Sequence, residues 1–282
     1  MKLRNKEKLE QIKKQQLQEA RKNLLTPESD FFVREAYKTL RTNVSFALTG
    51  ENKSKVVIVT SSLQGEGKSM TAVNLAISYA MTDCKVLIID CDMRRPKLAR
   101  LLHMGNKIGM SNLLMDPSLL DEAIMHTETA GLDVILSGNI PPNPSELLGS
   151  PRMQTLLEEL KQRYDYIFID SPPVNMVTDA VVLAPNSDGV LFLVRANQSE
   201  RGAVTRALDQ LEYAKAKVLG FVLNGLERER SYYGYGKRRY KRYYHYGYGK
   251  YGYSRRGYGY GKYGYSATTA KAYETEVDEH DG

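Results

Sequence analysis

From Lys55 onward the chain sets short apolar runs against longer mixed segments. The runs VVIVT, KVLIID, LDVILS, YDYIFID, GVLFLVR and VLGFVL are rich in β-branched and aromatic residues and are apolar throughout rather than at every second position. Unbroken hydrophobicity predicts strands buried on both faces, and the segments 68–81, 151–164 and 200–214 between them are long enough for helices. Six strands alternating with helices in this order predict an α/β domain, doubly wound about a mostly parallel sheet. Upstream, Val33, Tyr37, Leu40 and Val44 recur at the spacing of one helical face, and Thr26-Pro27-Glu28 offers a turn and a helix start.

The pattern differs at both ends. Residues 1–30 are rich in Lys, Gln and Glu, with Leu9, Ile12, Leu17, Ala20 and Leu24 at loose helical spacing. They read as a polar, basic helical arm, either a solvated leader or an interaction arm. After Leu226 the apolar runs stop, and residues 231–266 hold no Leu, Ile, Val, Phe or Met. A segment of Tyr, Gly, Lys and Arg cannot bury a core, so 227–282 is expected to be a disordered tail. The chain thus divides into an arm (1–30), an α/β domain (31–226) and a tail (227–282).

Charge follows the same division. The formal net charge is +7, but nine of the 40 Lys/Arg lie in 231–266, where there is no Asp or Glu, leaving 31 against 33 acids elsewhere. That segregation points to an interacting tail rather than a basic domain. No run approaches the roughly 18 apolar residues of a membrane span. The start, MKLRNKEKLEQIKKQQ, lacks the apolar core of a secretory signal, so a cytoplasmic location is expected. Cys84 and Cys91 have no metal-ligand spacing and read as reduced thiols, and His103, His126, His245 and His280 are scattered.

Candidate chemistry gathers at strand ends. The first strand runs into SSLQGEGKSM, where Gly67-Lys68-Ser69 at a strand-to-helix junction reads as the end of a P-loop. Glycines let main-chain N–H groups turn toward phosphate, the helix N-terminus adds its positive end, Lys68 reaches the terminal phosphates and the Ser69 hydroxyl suits Mg²⁺. The general pattern begins with Gly six residues before the Lys; Ser62 stands there instead. KVLIIDCDMRRP puts Asp90 and Asp92 at the end of the second strand, and YDYIFIDSPP puts Asp170 at the end of the fourth. Ligands of open α/β sheets sit at the carboxyl ends of strands, so these carboxylates and the P-loop can share one crevice. Taken singly, each Asp could be a helix cap.

SLQGEGKS, LIIDCDMRRP and FIDSPP, followed by a tyrosine cluster, resemble the bacterial tyrosine kinases of the polysaccharide-biosynthesis type, in the cytoplasmic form that works with a separate membrane adaptor. The likeness runs from about Phe31 to the tail, and its discriminating element is the second Asp-x-Asp motif. That family accepts Ala or Ser at the Ser62 position. The resemblance implies a P-loop NTPase fold and the cofactors ATP and Mg²⁺. Gly65, Glu66, Gly67, Lys68, Ser69 and Met70 match the phosphate-binding turn. Lys68, Asp90, Asp92 and Asp170 match the catalytic set, with Asp90 the partner of the incoming tyrosine hydroxyl. Ser69, Asp92 and Asp170 match the metal ligands.

Asn224 resembles the asparagine that contacts adenine in related NTPases, a turn residue being an equal reading. Glu35, Lys38 and Arg41 resemble a ring-assembly motif, with Lys38 where Arg is usual; Lys lacks a bidentate fork, and a plain surface pair is the alternative. The resemblance further implies autophosphorylation at Tyr232, Tyr233, Tyr235, Tyr240, Tyr243, Tyr244, Tyr246, Tyr248, Tyr251, Tyr253, Tyr258, Tyr260, Tyr263 and Tyr265. It also implies control of capsular or exopolysaccharide synthesis, a homo-oligomer, a cognate tyrosine phosphatase, and recruitment to the inner face of the cell membrane by the adaptor.

Two other readings compete. A partitioning-type P-loop ATPase usually carries a second Lys early in the loop, and 61–64 has none. Tyr/Gly/Arg low complexity also suits RNA binding, but the tail adjoins an enzyme-like domain, and no stable nucleic-acid binding is expected.

Overall fold

The structure, a computed structural model, describes residues 21–48, 53–105 and 108–226. Most of the arm, and the tail with its fourteen tyrosines, lie outside the described residues.

Seven strands make one sheet in the order β3-β4-β2-β5-β1-β6-β7. They are β1 (Lys55–Ser61), β2 (Val86–Asp90), β3 (Ile124–His126), β4 (Leu132–Ile135), β5 (Tyr166–Asp170), β6 (Gly189–Arg195) and β7 (Val218–Asn224). All neighbours are parallel except β3, which runs antiparallel to β4 at the edge. The sheet therefore has one strand more than the six apolar runs predict, and Asp170 ends the fifth strand, not the fourth. The three residues of β3 are half-buried or exposed, so they never formed an apolar run.

Four longer helices cover the faces: α1 (Phe31–Ala47), α2 (Lys68–Ala80), α3 (Pro151–Lys161) and α4 (Arg201–Tyr213). Alternation within each strand divides the core. Val56 and Ile58 of β1 join Leu87, Ile89, Ile167 and Ile169 against Met153, Leu157 and Leu160 of α3 and Ala207 and Leu211 of α4. Val57 and Val59 face the other way, with Ile88, Val134 and Phe168, onto α2 and onto Val44 of α1. Every residue of β1 is buried, which is why its sequence shows no alternation. The Tyr79 ring of α2 lies tilted against Tyr166 and Phe168, with ring centroids 4.2 and 5.2 Å away.

The helix start offered by Thr26-Pro27-Glu28 falls instead at Asp30, whose carboxylate accepts the N–H of Phe32 at 2.9 Å. Thr26 is occupied locally, its N–H donating to Ser29 Oγ at 2.8 Å. Just upstream, Leu25 is buried, and its N–H donates to Asn74 Oδ1 of α2 at 2.8 Å. No helix among the described residues is long and apolar enough to cross a membrane.

Candidate nucleotide and phosphoryl-transfer site

The turn between β1 and α2 is a backbone cradle. Gly65 and Gly67 have φ of 87° and 101°, the left-handed region that glycine adopts without steric cost. Gly67 leads directly into α2, whose first N–H groups have no intrahelical acceptor and no side-chain cap, the arrangement that suits an anion. A methyl group on Gly67 would lie 2.0 Å from Asn224 Nδ2. Gly67→Ala is therefore expected to open the loop and cut nucleotide affinity by at least about tenfold, of the order of the 1–3 kcal/mol that a strained backbone residue costs; titration with a fluorescent nucleotide checks this.

Glu66 sits in the phosphate motif, but its side chain turns away from the cradle. The carboxylate is fully buried and accepts Ser62 Oγ at 2.9 Å, Leu63 N–H at 2.6 Å and the Ser199 hydroxyl. Burial works to raise its pKa, yet these donors, led by Ser199 and Leu63, outweigh it and hold the carboxyl below the usual range. Ser62, the departure from the general motif, thus serves as a donor that fixes the loop. Three more contacts clasp the turn from the β6 and β7 side. Arg195 donates to Gly65 O at 2.8 Å, Asn224 Nδ2 donates to Glu66 O at 3.0 Å, and Gln198 lies beside Gly65. Ser199, Arg195 and Gln198 carry no motif and were not legible as site residues.

Lys68 is buried at the start of α2, its ammonium donating to Ser61 Oγ at 2.9 Å and Leu63 O at 3.2 Å. Burial lowers its pKa to about 8, against the attraction of Asp170 and with help from the Lys97 charge. Ser69 and Met70 follow in the first turn, Ser69 buried and Met70 half-buried.

The acidic residues meet through strand register. Asp90 and Asp170 are paired positions of the neighbouring parallel strands β2 and β5, so their side chains leave the sheet on the same face at its carboxyl end. Asp90 is completely buried and braced: Oδ1 accepts Asp92 N–H at 3.2 Å, and Oδ2 accepts Lys97 N–H at 3.2 Å and Leu98 N–H at 3.1 Å. Burial, reinforced by Asp170, raises its pKa well above the carboxylate range. Asp92 keeps Oδ2 free of hydrogen bonds among the described residues, while Oδ1 accepts Arg95 N–H at 3.1 Å; burial raises its pKa too.

Asp170 is buried, and neither of its oxygens accepts a hydrogen bond. Burial drives its pKa up to about 7. The Ser69 hydroxyl, nearby though outside hydrogen-bond geometry, and the Lys68 charge work against that rise.

An orphaned buried carboxylate beside a second with a free oxygen fits a divalent cation. Among the described residues no three His, Cys, Asp or Glu side chains converge as a metal cluster. Mg²⁺ takes one or two carboxylates plus substrate phosphates rather than an all-protein cage.

The structure does not bring Glu35, Lys38 and Arg41 into this site. Glu35 and Lys38 pair at 2.7 Å on the exposed side of α1. Arg41 turns inward to the Ser78 carbonyl and to Ser78 Oγ, the latter at 3.2 Å. The proline segment 141–144 follows β4. It leads into a short helix, Pro144–Leu148, whose Ser145 accepts Arg94 Nη2 at 3.1 Å and donates to the fully buried Asp179 at 2.5 Å.

Fold and site together define a nucleotide-binding P-loop α/β protein with paired acidic strand ends. Residues 54–218 match the AAA domain family. Tyrosine-protein kinase YwqD of Bacillus subtilis is 38% identical over 202 residues, covering 71% of this chain and 85% of that protein. The putative tyrosine-protein kinase CapB of Staphylococcus aureus is 37% identical over 205 residues, 72% of this chain and 90% of its own. The kinase domain of Escherichia coli tyrosine kinase ETK superposes with a TM-score of 0.67 at 35% identity, over 72% of this chain and 80% of that one. The chain belongs to the bacterial tyrosine-protein kinases. That membership sets aside the partitioning-ATPase alternative.

Proposed function

We propose that this kinase transfers the terminal phosphoryl group of ATP to tyrosines of its own segment 227–282, in trans within an oligomer, and thereby regulates capsular or exopolysaccharide synthesis or export. The observation that carries the reading is Asp170: a buried, unpartnered carboxylate at the same register as Asp90, with Lys68 charged beside it.

Phosphoryl transfer is mostly positioning and electrostatics. The main-chain N–H groups of the cradle and Lys68 hold the phosphates. Ser69, Asp92 and Asp170 would hold Mg²⁺, which supplies neutralising charge for the phosphates. A tyrosine hydroxyl has a pKa near 10 and is almost wholly protonated at pH 7. The bond from its oxygen to the γ-phosphorus forms as the bond to the β,γ-bridging oxygen breaks. The phenolic proton passes to Asp90, and ADP leaves. Asp90 is assigned the acceptor role by its place at the end of β2, in register with Asp170; burial and the Asp170 charge raise its pKa, and it accepts the proton in its ionised form. Its three main-chain partners leave about one of four lone-pair positions open.

In this reading residues 1–30 are an arm, 31–226 the kinase domain and 227–282 the substrate tail. A tail of about 40 flexible residues spans roughly 35 Å, enough to reach a neighbouring copy. Glu35 and Lys38 contribute to the contact between copies, with Arg41 bracing α1 from within. A membrane adaptor recruits the kinase to the inner face of the membrane, and a cognate phosphatase reverses its action. Each phosphotyrosine adds about −1.5 to −2 of charge, so full modification of fourteen sites adds about −21 or more and overturns the +9 of the segment's Lys/Arg.

Incubation with Mg-ATP and mass mapping should give phosphotyrosine in the tail for wild type and none for Lys68→Met. Under the same conditions wild type should elute from size exclusion as a smaller species than a variant with all fourteen tail tyrosines changed to Phe. Identical profiles would refute the charge-driven disassembly.

A further inference from the structure

The carboxyl edge of the sheet has a direction. Read along the strand order, Asn224 ends β7, the P-loop follows β1, Asp170 ends β5, Asp90 ends β2, and β4 comes next. A nucleotide with its phosphates in the P-loop occupies the β7-to-β5 side, so the acceptor must arrive over β4. A cavity of about 280 Å³ lies there, lined by Ser111, Asn112, Met115, Asp116, Leu119 and Pro141, among others.

Its walls are tied to the transfer site. Ser111 N–H donates at 3.0 Å to Ser137 O, just beyond the end of β4, whose Ile135 is in register with Ile89 of β2. One strand spacing plus one hydrogen bond thus places the cavity wall roughly 8–10 Å from Asp90. The opposite wall, Pro141, continues into Ser145, which Arg94 holds two residues after Asp92.

The lining describes a guest. Met115 is 65% exposed and Leu119 and Pro141 are apolar, which suits an aromatic ring. Ser111 lines the inner wall, its hydroxyl buried and without a hydrogen-bond partner. Asp116 is anionic at the rim; hydrogen bonds from the Ser118 hydroxyl and N–H hold its carboxyl below the usual range.

The sequence supplies that guest. Tyr-Gly-Tyr occurs five times, at 233–235, 246–248, 251–253, 258–260 and 263–265, and Lys250 and Lys262 directly precede two of the copies. In extended chain, residues i and i+2 point to the same side about 6.6–6.8 Å apart. While one phenol meets Asp90, the next can reach the cavity.

We infer that this cavity is an acceptor subsite: it takes the ring of a tyrosine two residues from the one being phosphorylated, with Asp116 facing a neighbouring lysine or arginine. The inference rests on the proposed tyrosine transfer to such segments and names what selects them. The subsite prefers paired over isolated tyrosines.

The test uses the full chain and peptides of sequence 261–266, GKYGYS, alongside versions with either tyrosine replaced by Ala. Wild type is expected to show a KM per acceptor about five- to tenfold lower for the paired peptide, the scale of one aromatic contact. Met115→Lys, at an exposed position, should remove that preference while leaving kcat on the single-tyrosine peptides and the KM for ATP unchanged. Asp116→Asn, which keeps an acceptor for Ser118, should weaken GKYGYS but not a further version of it with the lysine replaced by Ala. Equal use of paired and single peptides by wild type, or a preference that survives Met115→Lys, would overturn the subsite while leaving the transfer reading intact. Phosphotyrosine on neither peptide nor chain would instead defeat the transfer reading itself, and the subsite with it.

Discussion

Asp90→Asn should lower phosphotyrosine formation by about 10²–10⁴-fold, the usual worth of a positioned general base, and leave nucleotide affinity little changed. The separation follows from geometry. In the proposed site the turn after β1 and Asn224 hold nucleotide, whereas Asp90 ends β2, on the far side of β5. The variant keeps one oxygen for the N–H groups of Lys97 and Leu98, so the turn after β2 stays tethered. Its new amide group faces the N–H of Asp92, which is a local cost rather than an unfolding one. Measured together, phosphotyrosine yield and nucleotide titration separate a lost proton acceptor from a collapsed site. Equal loss of both would show that Asp90 is only a brace.

Asp170→Asn is expected to abolish transfer and, in metal-free protein, to raise stability. The sign comes from linkage. The folded-state pKa of Asp170, about 7, stands above the roughly 3.9 of an unfolded aspartate. For such a group the favourable contribution is complete below about pH 4 and is lost as pH rises through about 7. At pH 8 the metal-free fold therefore bears the cost of a buried, unpaired charge, at most about 4 kcal/mol from a shift of this size and shared with Asp90. Thermal denaturation without divalent cation should show the variant melting above wild type at pH 8, with the gap closing toward pH 5. Adding Mg²⁺ and nucleotide should stabilise wild type and not the variant. A variant that melts lower at pH 8 would mean that Asp170 is already satisfied within the fold.

Much of the fold could be read from the runs of apolar residues because burial on both faces leaves no other composition open to a strand. The helices expected over 68–81, 151–164 and 200–214 were found at Lys68–Ala80, Pro151–Lys161 and Arg201–Tyr213. β3 was missed because an edge strand of three residues with partly wet side chains has nothing to distinguish it from loop. The helix start was misplaced because Thr26 and Asp30 are both good caps, and only tertiary position decides between them.

At the site, sequence spacing identified the residues but not the direction of every side chain. Glu66 lies in the phosphate motif, yet only its main chain can serve phosphate, since its carboxylate is buried among Ser62, Leu63 and Ser199. Strand register supplied what spacing could not: Asp90 and Asp170 are 80 positions apart in the chain but adjacent across two strands. Arg41 likewise looked like a third exposed member of a helix-surface motif, but the packing of α1 on α2 turned it toward Ser78.

The amide of Asn224 is locked at both ends, its Nδ2 to Glu66 O at 3.0 Å and its Oδ1 to Gly225 N–H at 2.8 Å. It cannot flip without breaking both bonds, so its spare N–H and spare lone pair point in fixed directions. With the base placed against it, that polarity matches the paired donor and acceptor of adenine, as asparagine does on an adenine edge, and meets two acceptors on guanine. If Asn224 is the adenine contact, choice between purine nucleotides would trace to a glycine amide and a loop carbonyl acting through that side chain.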